Sequence, residues 1–269
     1  MISKYRHKEL TWIDLEAPKE EETLHILEQY SIPLSIEDEI RMDTDESKTI
    51  MNSGYIFTSL HLPQILNEES IVLNNKIIFV IHNNFILTIH EKPVVAFREF
   101  LNNLEIDTTL PEQLQIKHTD LLSYYLIKSL YINLKEQLSE NDNQINEIEN
   151  KIIKSNNENI SITIFKKNKI SIDIEKNLFS HDKILKNMSV SLVQIFGEKF
   201  ENYSLSIIEE FTQIKLILNV QNKNLINLSN LNNSITTNQY KKKFKLLTTL
   251  SLISLIVIIS ISIYVISHI

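Results

Sequence analysis

The chain has 269 residues, 27 of them basic and 34 acidic, for a formal net charge of −7; that balance excludes a nucleic-acid binder with a broadly basic surface. Cysteine is absent and glycine occurs only at Gly54 and Gly197, which excludes disulfides, thiolate metal sites, cysteine nucleophiles and a glycine-rich phosphate loop. The charge is uneven: no Asp or Glu follows Glu210, whereas Lys215, Lys223 and a lysine cluster do.

Residues 1–8 lack the apolar run of a signal peptide, so a cytoplasmic start is expected. Residues 10–15 alternate in β-prone types and predict a strand. Pro18 followed by Glu20, Glu21 and Glu22 predicts a helix start with acids near its positive end, burying Leu24, Leu27 and Tyr30. Ile32-Pro33-Leu34 ends that helix, Ser35 with Asp38 predicts a capped short helix through Ile40, and residues 43–49 read as a loop. Three β-prone runs follow, at 54–62, 70–82 and 85–90, with Asn83-Asn84 as a tight turn between the last two. Pro93 opens a helix to about Leu104. Residues 1–117 are therefore expected to form a cytoplasmic α/β domain.

From His118 the pattern turns helical, through Leu121, Leu122, Tyr125, Leu126, Leu130 and Leu134 and on to Lys154, with acids exposed between Glu136 and Glu149. Asn156-Asn157 predicts a turn, residues 160–196 repeat the helical pattern, and Gly197 interrupts it. Ile207, Phe211, Ile214, Leu218, Gln221, Leu225, Leu228, Asn232 and Ile235 then recur at steps of four and three. That is a coiled-coil seam, in which polar Gln221 and Asn232 are expected to fix register or oligomer state.

No proline follows Pro111, so this stalk helix is expected to run straight into residues 246–269, which carry no charged residue. At about 1.5 Å per residue such a stretch crosses a hydrocarbon core of roughly 30 Å. Lys241, Lys242, Lys243 and Lys245 precede it; they mark the cytoplasmic interface and suit anionic lipid headgroups. The reading is a helical hairpin and stalk over 118–245 and a single C-terminal transmembrane helix over 246–269, with the N-terminus cytoplasmic. Copies gathered round an axis would turn the seam and some hydroxyls inward, which makes Gln221, Leu225, Asn232, Thr248 and Ser267 the pore-lining candidates. The eight histidines are scattered with no metalloprotease spacing, so no enzyme is expected.

Four short motifs stand in order along the chain: Trp12-Ile13-Asp14-Leu15 with Pro18, Ile36-Glu37-Asp38, Gly54-Tyr55-Ile56-Phe57, and Asn84-Phe85-Ile86-Leu87-Thr88-Ile89-His90-Glu91. In that order, ahead of an acidic hairpin and a stalk that becomes a span, they resemble the CorA family of divalent-cation channels and transporters. Leu247-Thr248 also falls where the family has a Leu-Thr pair at the start of its first membrane helix. The resemblance implies a homopentamer with a cytoplasmic funnel and stalk helices along its axis. It implies Mg²⁺, sometimes Co²⁺ or Ni²⁺, moving inward, with cytoplasmic Mg²⁺ closing the channel; Mg²⁺ is then a transported or regulatory ion, and no resident cofactor is expected. The family's stalk acid for inhibitory Mg²⁺ falls near Leu205 or Ser206, which leaves Glu209 and Glu210 as approximate substitutes.

There are departures. Val265-Ile266-Ser267 stands at the family's Gly-Met-Asn signature, Lys241 lies near its pore-facing asparagine, and a second membrane helix is missing from the sequence. Mg²⁺ dehydrates reluctantly and needs a ring of oxygen ligands at its entrance, to which Ser267 and His268 would each add one ligand per chain. The expectation is a CorA-like Mg²⁺/Co²⁺ transport protein of a bacterial inner membrane. The alternative is a non-conducting, tail-anchored relative acting as a scaffold, a Mg²⁺ sensor or a modifying subunit of a complete paralogue.

Overall fold

The computed structural model describes residues 1–7, 10–42, 46–66, 71–106, 119–154 and 159–267, with 103–106, 153–154 and 265–267 described through their backbone alone. The expected turn at Asn156-Asn157 and much of the expected loop after Met42 lie outside the described residues. Strands β1 (Ile2–His7) and β2 (Leu10–Glu16) lead to helices α1 (Glu20–Gln29) and α2 (Leu34–Arg41). Then come β3 (Lys48–Asn52), β4 (Tyr55–Leu66), β5 (Ile71–Ile81) and β6 (Phe85–His90). The helices α3 (Val95–Ile106), α4 (Thr119–Lys154), α5 (Asn159–Leu178), α6 (His181–Phe196) and α7 (Lys199–Ser267) complete the chain.

The six strands form one mixed sheet in the order β1-β2-β6-β5-β4-β3. Only β2 and β6 run parallel; the other pairs are antiparallel. The sheet is covered on both faces, which is why residues 77–81 of β5 read as a continuous apolar run and β6 as a nearly continuous one. One face buries Ile13, Leu15, Phe57, Val80 and Leu87 against Ile26, Leu27 and Ile36 of α1 and α2. The other buries Trp12, Ile56, Phe79 and Ile86 against Phe97 of α3 and against α4 to α7, so one core runs from the sheet into the helical bundle. The outcome is an α+β domain followed by a helical bundle, with a long C-terminal helix that continues into one apolar candidate span.

Local chemistry explains the joins. Ser53 and Gly54 both have positive φ, at 51° and 82°, as the two-residue turn of a twisted hairpin demands; Asn52 pairs with Tyr55 across it. β4 extends beyond its expected end, through Pro63. Its neighbour β3 reaches only as far as Ser59, so Pro63 lies on a sheet edge where its missing N–H breaks no ladder. The edge amides on either side are met by side chains: the His61 N–H donates to Ser47 Oγ at 3.2 Å and the Ile65 N–H to Gln137 Oε1 at 2.8 Å. Ser35 does not cap α2. Pro33 holds the N-cap position, and Ser35 Oγ instead accepts from Asn52 Nδ2 at 2.5 Å.

Beyond Leu218 the bundle core changes. A second apolar cluster of Ile145, Ile148, Ile152, Ile160, Ile164, Leu225 and Leu228 joins α4, α5 and α7 at their far end. The 69 residues of α7 extend for about 100 Å at ~1.5 Å per residue.

Candidate functional site

The seam expected on the stalk exists, and its partner is the same chain. Ile207, Phe211, Ile214, Leu218, Gln221, Leu225 and Leu228 are buried where α7 packs on α4, α5 and α6. Gln221 Nε2 donates to the Leu138 carbonyl at 2.7 Å, and Asn141 Nδ2 donates to Gln221 Oε1 at 3.2 Å. Asn141 Oδ1 accepts from Lys167 Nζ at 2.8 Å, which also donates to Gln144 Oε1. This polar layer divides the two apolar clusters. Burial lowers the Lys167 ammonium below the usual lysine range, and the nearby Glu140 charge pulls it partly back. Further along, Asn232 Nδ2 donates to Ser161 Oγ at 2.8 Å. Gln221, Leu225 and Asn232 thus sit between α7 and its own hairpin.

On the opposite face of α7, Leu205, Glu209, Thr212, Leu216, Asn219 and Lys223 recur at the same steps of four and three, and all are exposed. Glu209 belongs to this outer stripe. Glu210, one residue round, is neutralised: Lys135 Nζ lies 2.5 Å from it and Lys128 Nζ 3.7 Å. Lys128 Nζ also donates to Ser206 Oγ at 2.9 Å and to Tyr124 Oη at 2.9 Å. The Tyr124 bond, with Glu210 and Glu209 adding their charge, raises the Lys128 pKa despite its partial burial. Where the resemblance would put a regulatory divalent ion near Ser206, an ammonium group already stands. Among the described residues no three His, Asp or Glu side chains converge in a way that would hold a metal ion.

Toward the C-terminus, Lys241, Lys242, Lys243 and Lys245 are all exposed. From Leu246 to Tyr264 the large apolar side chains are exposed too, as for a helix whose natural surroundings are lipid. Its hydroxyls bond back to their own helix: Thr248 Oγ1 donates to the carbonyls of Phe244 at 3.1 Å and Lys245 at 2.9 Å, and Ser251, Ser254, Ser260 and Ser262 do likewise. That is how a membrane helix keeps hydroxyls at low cost. The side chains of Ser267 and His268 lie outside the described residues.

In the sheet, two of the ordered motifs meet because β2 and β6 pair in parallel with Asp14 opposite Thr88. Trp12 Nε1–H donates to Thr88 Oγ1 at 2.9 Å, Thr88 Oγ1–H donates to Asp14 Oδ1, and His90 Nε2 faces the same oxygen at 3.1 Å. His90 Nδ1–H donates to the Lys92 carbonyl at 2.7 Å. A second buried histidine, His181, bridges Tyr131 Oη at 3.0 Å and the His61 carbonyl at 3.2 Å. These residues secure the fold from which α7 projects. Lys167 went unnoticed in the sequence, although it stands in the apolar series Ile160, Ile164, Lys167, Ile170, Ile174, and that spacing was the available signal.

The sequence pattern of the family described as CorA-like Mg2+ transporter protein matches residues 7–256. The complete CorA magnesium transporter of Methanocaldococcus jannaschii superposes with a TM-score of 0.76 at 18% identity, over 91% of this chain and 75% of that one. The full-length CmaX protein gives 0.73 at 12% identity, over 88% and 72%. The cytoplasmic domain of ZntB from Vibrio parahaemolyticus gives 0.63 at 14% identity, over 86% and 88%. At these identities the structures establish the fold alone. No curated protein sequence matches the chain.

Proposed function

The chain belongs to the CorA-like Mg2+ transporter family, and on that premise we propose that it carries Mg²⁺, and Co²⁺ with it, across a bacterial inner membrane as a homo-oligomeric channel. The family is one of divalent-cation transporters and not of enzymes, and the apolar end of α7 marks a membrane protein. The observation that carries the finer reading is the continuity of α7, a single helix of 69 residues with one end locked into the sheet-and-bundle core and the other clothed in exposed apolar side chains. Whatever moves the core moves the span.

In this reading the inner stripe of α7 is spent on its own chain, and the outer stripe faces a common axis in a pentamer. Glu209, Asn219 and, further along, Thr248 then line the path with oxygen atoms. Mg²⁺ keeps much of its water, so amide, hydroxyl and carboxylate oxygens round a pore suit it better than a closed protein cage. Lys241 to Lys245 contact anionic headgroups on the cytoplasmic side, and the sheet domain is cytoplasmic. Mg²⁺ is cargo here.

The chain's lack of cysteine makes the axis directly testable. Single cysteines introduced as Leu216→Cys or Asn219→Cys are expected to form disulfide-linked dimers within the assembled protein in native membranes. Leu225→Cys, buried at 1% exposure, is expected to form none. Cross-links at position 225 with none at 216 or 219 would reverse the assignment of the two stripes.

A further inference from the structure

At the carboxyl ends of the two parallel strands the chain leaves toward opposite faces of the sheet. After β2 it enters α1, which packs with Ile26 and Leu27 on one face; after β6 it enters α3, which packs with Phe97 on the other. Such a divergence opens a crevice beyond the strand ends, and ligands of open α/β sheets bind in crevices of this kind. Here it is a cleft of about 780 Å³, within the roughly 300–1,000 Å³ typical of small-molecule sites.

Its lining is divided by chemistry. Ile78 and Ile89, with Ile40 of α2, give it an aliphatic floor. Arg41, Lys76 and Lys92 outnumber the acids Glu20 and Glu91 round it. Lys92 Nζ reaches only a neutral partner in the described structure, the Asn74 carbonyl at 3.2 Å. Arg41 is drawn to Glu37 at 2.6 Å and, more loosely, to Glu20 at 3.9 Å. Asn75 also lines the cleft and is 5% exposed. Its Nδ2 donates to the Lys92 carbonyl at 3.3 Å, which fixes the segment after β6 against β5. Ammonium and guanidinium groups round the cleft favour phosphate oxygens.

We propose that this cleft binds a phosphorylated small molecule of nucleoside-phosphate size, its apolar ring on Ile78 and Ile89 and its phosphates on Lys92, Lys76 and Arg41. Bare phosphate would satisfy the cations, but it lacks the ring for the floor. The site is separate from α7 and does not depend on the transport reading.

The test is calorimetric titration of the full-length protein in detergent, without Mg²⁺, using ATP, AMP and inorganic phosphate as probes. Saturable ATP binding is expected, with AMP weaker and phosphate weaker still. Lys92→Glu should lower ATP affinity roughly ten- to hundredfold, as loss of a charge-assisted contact predicts, without shifting the melting temperature of the ligand-free protein. Lys223→Glu, on the outer stripe of α7, should keep wild-type affinity. Absence of saturable binding by every probe overturns the proposal, and so does equal affinity in wild type and Lys92→Glu. Phosphate binding as tightly as ATP would overturn its nucleoside part.

Discussion

His90 has an acceptor at each ring nitrogen, the Lys92 carbonyl at 2.7 Å and the Asp14 carboxylate at 3.1 Å, an arrangement that only the doubly protonated ring fills. Burial alone would depress its pKa; the hydrogen bond and charge of Asp14, the Lys92 carbonyl and the Glu16 charge outweigh that and raise it. A raised histidine contributes stability that is complete below the unfolded value of about 6.5 and is lost as pH rises through the folded one. Asp14→Asn is therefore expected to cost about 1.5–3 kcal/mol at pH 6. The gap from wild type should narrow at pH 8.5 in denaturant unfolding followed by the fluorescence of Trp12, the sole tryptophan. A gap independent of pH would reject the imidazolium.

His181 behaves in the opposite sense. It is fully buried, accepts from the Tyr131 hydroxyl, donates to the His61 carbonyl and stacks on Phe211. Burial pushes its pKa down to about 4, so its contribution is intact above the unfolded value of about 6.5 and is lost as pH falls toward 4. His181→Leu strands the Tyr131 hydroxyl and removes one donor from the His61 carbonyl. It should cost about 2–4 kcal/mol at pH 7 and flatten the decline in stability between pH 6.5 and 4.5. A variant with the wild-type slope over that window would show that another group titrates there.

Among the elements, α7 shows what the sequence made legible and what it did not. The steps of four and three through Ile207, Phe211, Ile214 and Leu218 identify a buried stripe, and all four residues are buried. The pattern does not say whose surface buries it. A hairpin of the same chain and a second copy offer the same kind of apolar complement, and here α4 to α6 take the seam, Gln221 and Leu225 included. The outer stripe was illegible because Leu205 and Leu216 alternate with Glu209, Asn219 and Lys223, a mixture that reads as solvated. Strands β1 and β3 were missed for a related reason. Each lies at an edge of the sheet, where charges such as Lys4, Arg6 and Lys48 replace the apolar alternation of a covered strand. By contrast β6, buried along its whole length, was legible to the residue.

The polar layer of α4, α5 and α7 carries its own prediction. Gln221→Leu alone removes the partners of Asn141 Nδ2 and the Leu138 carbonyl and should cost about 1–3 kcal/mol. The triple variant Asn141→Leu, Lys167→Met, Gln221→Leu removes the whole network together with a buried cation, and should cost less than the single change or raise stability. Denaturant unfolding of the full-length protein measures both. Additive losses would mean that the layer is a set of independent contacts and not one network.

At the scale of the whole molecule, a core covered on both faces of its sheet holds one end of a helix long enough to leave it and cross a membrane. Assembly through the outer stripe is expected to fail in Leu216→Asp while the subunit stays folded, because Leu216 is 60% exposed and exposed substitutions shift stability by only about 0.5 kcal/mol. Light scattering in detergent should then report subunits smaller than the wild-type assembly with an unchanged melting temperature. Lys223 lies on the same stripe, where a ring of ammonium groups opposes the passage of divalent cations, so Lys223→Asn should raise the rate of cation entry severalfold.

The most direct measurement is Mg²⁺ uptake into liposomes containing this chain alone, read by an internal fluorescent Mg²⁺ indicator beside a complete CorA-type transporter as control. Uptake that cobalt hexammine blocks and that rises in Lys223→Asn is the predicted result. An inserted, oligomeric protein that admits no Mg²⁺ would contradict the account and return the chain to the role of a non-conducting subunit or sensor.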